Sequence, residues 1–177
     1  ISAIVNEVLN CSHSSPRILA KLIGSLQAAT DAVTLGKLLL RPVQWAYKSL
    51  VRQPVENWDL QLLLSPELKD ALVTWTNPSL LSAGVPLVTP LPSTTIYTDA
   101  STLGWGANLS PKFLTAKGLW SPAEKRLHIN VLELLAVRRA LSHWVSLLQN
   151  TSVMICTDNA SVVTYLKHQG GLKSRTL

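Results

Sequence analysis

Thr94-Thr95-Ile96-Tyr97-Thr98-Asp99-Ala100-Ser101 is the stretch on which the rest of the chain turns. Threonine, isoleucine and tyrosine in succession fit a pleated, half-buried strand. The run then ends in a carboxylate and opens into small residues. Asp99 stands where an apolar or neutral side chain would ordinarily sit, so this acid calls for a partner.

Two further carboxylates downstream stand in similar places. Counting helical offsets from Glu133 gives Ala136, Val137, Ala140, Leu141 and Trp144, which puts the glutamate on the apolar stripe of its helix. Asp158 closes Val153-Met154-Ile155-Cys156-Thr157-Asp158, a second strand-like run, and is followed by Asn159 and a new helical pattern. All three acids are expected to point into hydrophobic surroundings.

Buried carboxylates are costly when unpaired, and three together repel until some take up protons. Either basic side chains or a divalent cation must neutralise them. Lys125, Arg126, Arg138 and Arg139 sit in a polar run or on other faces of the helix, so the sequence offers no obvious internal ion pair. Hard oxygen ligands of this kind suit Mg²⁺ or Mn²⁺.

The order of the three acids is Asp, Glu, Asp, on a first strand, a first long helix and a later strand, at intervals of 34 and 25 residues. That order resembles the ribonuclease H fold. Integrases and transposases of the same fold place the glutamate last. The local wording narrows the resemblance: Tyr97-Thr98-Asp99-Ala100-Ser101, Gly104-Trp105-Gly106-Ala107, Leu119-Trp120-Ser121, His128-Ile129-Asn130-Val131-Leu132-Glu133-Leu134, Thr157-Asp158-Asn159 and His168-Gln169-Gly170-Gly171 follow one another. Together they resemble the ribonuclease H region of retroelement polyproteins, most closely the DIRS-type tyrosine-recombinase retrotransposons. The resemblance is specific over residues 93–177. Before that it rests on a helical segment, including Lys21-Leu22-Ile23-Gly24-Ser25-Leu26, similar to the end of a reverse transcriptase.

The resemblance implies an α/β fold: a mixed sheet of a three-strand antiparallel meander plus one parallel strand, with flanking helices, preceded by an all-helical segment. It implies an RNA/DNA hybrid ribonuclease using two-metal phosphodiester hydrolysis, with Asp99 bridging the ions and Glu133 and Asp158 on the leaving-group side. Ser101, Asn130 and Asn159 become candidates for nucleic-acid contacts, although helix capping explains Asn130 equally well. The family pattern carries a fourth carboxylate well after the third, and no acid follows Asp158. The expectation is therefore a C-terminally incomplete, impaired nuclease, consistent with the starting Ile1 of a fragment. The alternative is a non-catalytic nucleic-acid-binding or assembly module derived from a retroelement.

Bulk properties agree with a nucleic-acid partner. Residues 1–92 hold seven Lys/Arg against six Asp/Glu, whereas residues 93–177 hold nine against four, and three of those four are the acids above. The surface of the second region is thus almost purely basic, which favours a phosphate backbone. Cys11 and Cys156 form no disulfide framework. No stretch approaches the roughly 18 apolar residues of a membrane span, and no signal core opens the chain. An intracellular protein and the remainder of a polyprotein as partner are expected.

The first region, 1–82, reads as helices. Pro16 starts one that runs to about Val33, a second begins near Leu35 with its start left uncertain by Pro42, and Ser65-Pro66 starts a third running to Trp75. No Asp-Asp pair occurs, so this segment resembles a thumb or connection without the polymerase's catalytic aspartates. Trp45, Trp58 and Trp75 are expected in its core. Gly84, Pro86, Pro90 and Pro92 mark a linker over 83–93, and the second domain is expected over 94–177. Within it, Ser121 with Glu124 and Asn130 with Glu133 both have capping-box spacing, and Gly170-Gly171 is expected to end the last helix.

Overall fold

Helices dominate the first ninety residues: α1 (Ser2–Asn10), α2 (Pro16–Ala29), α3 (Gly36–Leu50), α4 (Pro66–Val73) and α5 (Pro78–Ser82). Three of them begin where a polar residue precedes a proline. Ser15 Oγ accepts from the Ile18 amide at 3.4 Å, Ser65 Oγ from the Leu68 amide at 3.3 Å, and Asn77 Oδ1 from the Ser79 amide at 3.0 Å. The proline that follows lacks the N–H that a first turn would leave unpaired, and its φ is already helical. In the computed structural model the described residues are 1–51, 54–88 and 90–171.

The described residues divide into two units, Ile1–Leu87 with 168–171 and Val88–Lys167. The end of the expected second domain, residues 172–177, lies outside the described residues. In the first unit, α2 ends at Ala29, where Thr30 Oγ1 donates to the Gln27 carbonyl at 2.8 Å. The next helix starts at Gly36 and continues through Pro42. Glycine is required at its start, because a Cβ there would lie 2.5 Å from the Thr30 carbonyl oxygen. Leu19, Leu22, Leu26, Leu40, Leu72 and Trp75 are almost wholly buried together. Trp58 departs from the expected core and is 42% exposed. Its backbone is held, since the Trp58 carbonyl accepts from the Arg17 amide and Arg17 pairs with Asp59, while the indole is left at the surface. A two-residue antiparallel ladder, β1 (His13–Ser14) with β2 (Leu62–Leu63), joins the helices.

The second unit is built on β3 (Thr94–Ala100), β4 (Gly104–Ser110), β5 (Leu114–Leu119) and β6 (Val153–Cys156), in the order β5-β4-β3-β6. The first three strands form an antiparallel meander, and β6 returns parallel to β3. A parallel neighbour requires a crossover. Here α6 (Ile129–His143) and the short α7 (Val145–Leu148) supply it, and α8 (Ala160–Lys167) follows β6. Residues 90–171 thus have the mixed α/β ribonuclease H-like fold.

Ile96, Leu109, Ala140 and Trp144 pack between the sheet and α6, with Trp120, Leu132 and Ala136 in an adjoining cluster. The buried residues of α6 are Leu132, Glu133, Ala136, Val137 and Ala140. Leu141, placed on the same stripe by the sequence, is 37% exposed and turns off that face. The last helix stops at Lys167, ahead of Gln169 and Gly170, which both have positive φ.

Candidate metal centre

Asp99 is the penultimate residue of β3, and Asp158 lies two residues past the end of β6. Because these strands run parallel, with Tyr97 paired to Cys156 in the last rung of the ladder, both aspartates leave the sheet at the same end. Glu133 reaches them from the second turn of α6. One carboxylate oxygen from each of Asp99, Glu133 and Asp158 lies within 4.8 Å of the other two. The three acids singled out in the sequence are therefore neighbours in space.

Their environments differ from the expectation that all three point into hydrophobic surroundings. Only Glu133 is buried, at 5% exposure, whereas Asp99 and Asp158 are exposed. The strands deliver the aspartates to the open rim of the sheet; the helix face delivers the glutamate to its interior. Burial pushes the Glu133 carboxyl above its ordinary value, and the charges of Asp99 and Asp158 push it further, against a backbone hydrogen bond at Ala100 that favours ionisation. Glu133 Oε2 has no hydrogen-bond partner among the described residues. The ion pairs Arg17–Asp59, Lys37–Asp31 and Arg139–Glu124 leave these three carboxylates out.

A buried, unpartnered carboxylate oxygen beside two solvent-facing carboxylates fits a hard divalent cation: oxygen ligands only, net negative charge, and an open side for water and a further ligand. One cation of α6 is occupied elsewhere. Arg139 donates to Glu124 at 2.6 Å and stacks 4.8 Å from the centroid of Trp120.

The three candidate nucleic-acid contacts are all near the acids and all carry structural bonds. Ser101 Oγ accepts from the Leu103 and Gly104 amides, both at 3.2 Å, closing the turn after β3. Its carbonyl accepts from Trp120 Nε1 at 2.8 Å. Asn159 Oδ1 accepts from the Ser161 and Val162 amides and caps α8, while Asn159 Nδ2 donates to Asn130 Oδ1 at 3.0 Å.

Asn130 is not the cap of α6. That role belongs to His128, whose Nδ1 accepts from the Asn130 amide at 3.2 Å. Imidazole is an uncommon cap, so the sequence pattern favoured the asparagine two residues on. The competing capping-box role of Glu133 thereby disappears. Ser121 and Glu124 do form such a box: Ser121 Nα and Oγ donate to Glu124 Oε2 at 2.8 and 2.7 Å.

The sequence did not single out the groove beside Asp99. It has a volume of about 720 Å³ and is lined by residues that include Asp99, Ser101, Gly106 and Lys117. Asp99, Gly106 and Lys117 form one cross-strand row. Gly106 leaves its floor bare, since a Cβ there would meet nothing within 4 Å. The alternation of β5 places Lys117 and Thr115 on one face, but only the register reveals that this face includes Asp99.

Residues 90–177 match the family described as the RNase H-like domain found in reverse transcriptase. Among solved structures, the chain is similar to the foamy viral protease-reverse transcriptase in complex with double-stranded DNA, at 16% identity and a TM-score of 0.39, covering 99% of this chain and 36% of that one. A second is the same viral protein in complex with an RNA/DNA hybrid, at 14% identity and a TM-score of 0.38, covering 99% and 24%. The chain thus spans about a third or less of those proteins' length. Among curated proteins, none matches.

Proposed function

From the premise that residues 90–177 are an RNase H-like domain of the reverse transcriptase family, we propose that the second unit is a divalent-metal ribonuclease centre acting on the RNA strand of RNA/DNA hybrids. The observation that carries this reading is Glu133: buried, with Oε2 unpartnered, and within 4.8 Å of carboxylate oxygens of Asp99 and Asp158. The motif wording around these acids supports an origin in a DIRS-type retrotransposon polyprotein, the rest of which would be a partner. Such a protein works inside the cell. No helix among the described residues is long and apolar enough to cross a membrane.

Asp99, Glu133 and Asp158 would hold the ion, with Mg²⁺ or Mn²⁺ favoured by the all-oxygen donor set. When bound, such a cation lowers the pKa of a water and stabilises charge on the displaced oxygen of a phosphodiester. Around it, the protein supplies position. Glu133 is fixed by burial on α6, whereas the exposed Asp99 and Asp158 leave the outer side open to a phosphate. The basic balance of the region, nine Lys/Arg against four acids, draws the backbone of a nucleic acid to it. Asn130, in the first turn of α6, and Ser101, at the turn after β3, are the candidates for sugar and base-edge contacts.

Calorimetric titration of Mg²⁺ and Mn²⁺ into the full chain, with Asp99→Asn as control, tests the centre, followed by hybrid cleavage on the same samples. Binding that disappears in Asp99→Asn, with cleavage lost and hybrid binding retained, is the expected result. A folded wild-type sample that takes up neither ion refutes the catalytic reading. It would leave a non-catalytic nucleic-acid-binding or assembly module.

A further inference from the structure

Asp158 lies beyond the hold of the sheet. The ladder between β3 and β6 ends at Tyr97 and Cys156, so strand pairing does not fix the path of Thr157 and Asp158. Asn159 does. Its backbone N–H donates to Thr157 Oγ1 at 3.2 Å, and its Oδ1 accepts from the Ser161 and Val162 amides at 3.0 and 3.1 Å. Its Nδ2 then donates to Asn130 Oδ1 at 3.0 Å. Asn130 stands three residues before Glu133, on the same side of the helix one turn away. A single side-chain bond therefore connects the residue next to one acid with the helical residue one turn before another.

We propose that Asn159 is a positioning residue whose bond to Asn130 sets the separation of Asp158 from Glu133, and through it the affinity of the centre for a divalent cation. The inference rests on the metal-centre reading above. The side chain required here must accept and donate at once. Capping occupies the oxygen, because the α8 amides can only donate, and this turns the nitrogen towards Asn130. Aspartate would cap α8 but has no donor when ionised; serine would cap it but is too short to reach Asn130. Asparagine does both. The same geometry moves Asn159 from the group of nucleic-acid contacts to the support of the acids. Partners of this kind, which orient a metal's ligands without touching the metal, typically account for about 10–100-fold in affinity.

The test is Mn²⁺ titration into the full chain of the wild type, Asn159→Ser, Asn130→Ala and the double variant, with urea midpoints measured alongside. Asn159→Ser keeps a capping hydroxyl, and Asn130→Ala leaves the cap of α8 untouched, so at least one variant separates the bond from the fold. Each single variant is expected to weaken Mn²⁺ binding about 10-fold or more at an unchanged urea midpoint, and the double variant to be no weaker than the worse single one. Wild-type affinity in both single variants overturns the proposal. So does a double variant whose loss is the product of the two single losses, since the residues would then act separately. A wild type that binds no Mn²⁺ overturns this proposal together with the metal centre, whereas strong wild-type binding with indifferent variants overturns this one alone.

Discussion

Replacing Glu133 by glutamine should make the metal-free protein more stable while abolishing its response to metal. Glutamine is nearly isosteric and its carbonyl oxygen can still accept a hydrogen bond, so the substitution removes charge with little change in packing. The charge removed faces two others, with one oxygen of each carboxylate no more than 4.8 Å away. At that distance each repulsion is about 1 kcal/mol in bulk water and about 3.5 kcal/mol at an effective dielectric of 20. Asp99 and Asp158 are exposed, so solvent screening places each pair near the lower figure, and two pairs give about 2 kcal/mol. In urea with a chelator this is a midpoint raised by roughly 1 M for a slope of about 2 kcal/mol per molar. The wild type should gain about 2.7 kcal/mol when the ion is present at 100 times its dissociation constant, and the variant nothing. A metal-free variant less stable than wild type, or one still stabilised by Mn²⁺, would refute the argument that Glu133 is held against its neighbours' charge in readiness for a cation.

The remaining predictions concern pH, packing and backbone. The raised pKa of Glu133 means the folded chain keeps a proton that the unfolded chain has already released. Metal-free stability should therefore decline as pH rises from the ordinary glutamate value of 4.5 through the raised one; saturating Mn²⁺ should remove that decline in a urea series against pH. Gly36→Ala should destabilise the first unit by at least about 1–3 kcal/mol, by overpacking against the Thr30 carbonyl, as read by chemical denaturation. Ala140→Leu, at a wholly buried position under the sheet, should cost about 1–3 kcal/mol for the same reason; a neutral result would show that α6 does not pack as closely as described.

The parts of the site that were legible in the sequence are those set by local periodicity. Thr94 to Asp99 reads as a strand because its β-branched and aromatic residues suit nothing else, and Glu133 reads as inward because apolar residues recur around it at helical intervals. Exposure of the aspartates was not legible. Whether a residue at a strand's end is covered depends on which elements reach past that end, and no local pattern records this. His128 was missed as a cap because His and Asn can both accept from an early amide, and composition favours the latter. The bond between Asn130 and Asn159 joins residues 29 positions apart, so it exists only once α6 and α8 have been placed. Trp58 shows the opposite error: its size suggested the core, but the ion pair of Arg17 with Asp59 fixes its backbone at the surface.

The pairing of β3 with β6 has a bearing on the order of events as the chain folds. Leu109 faces Leu114 across the turn that joins β4 to β5, so the meander can close through local contacts. Thr94 meets Val153 only after 59 intervening steps of chain. Long-range parallel pairing is slow, because the entropy of closing the loop is lost before the contacts that compensate it are made. Asp99 and Glu133 can therefore find their places early, and Asp158 joins them only when the last strand docks. The repulsion of Asp158 by the other two acids is met at that final closure, and a chain that stalls before it carries two carboxylates of the three and an incomplete acidic cluster.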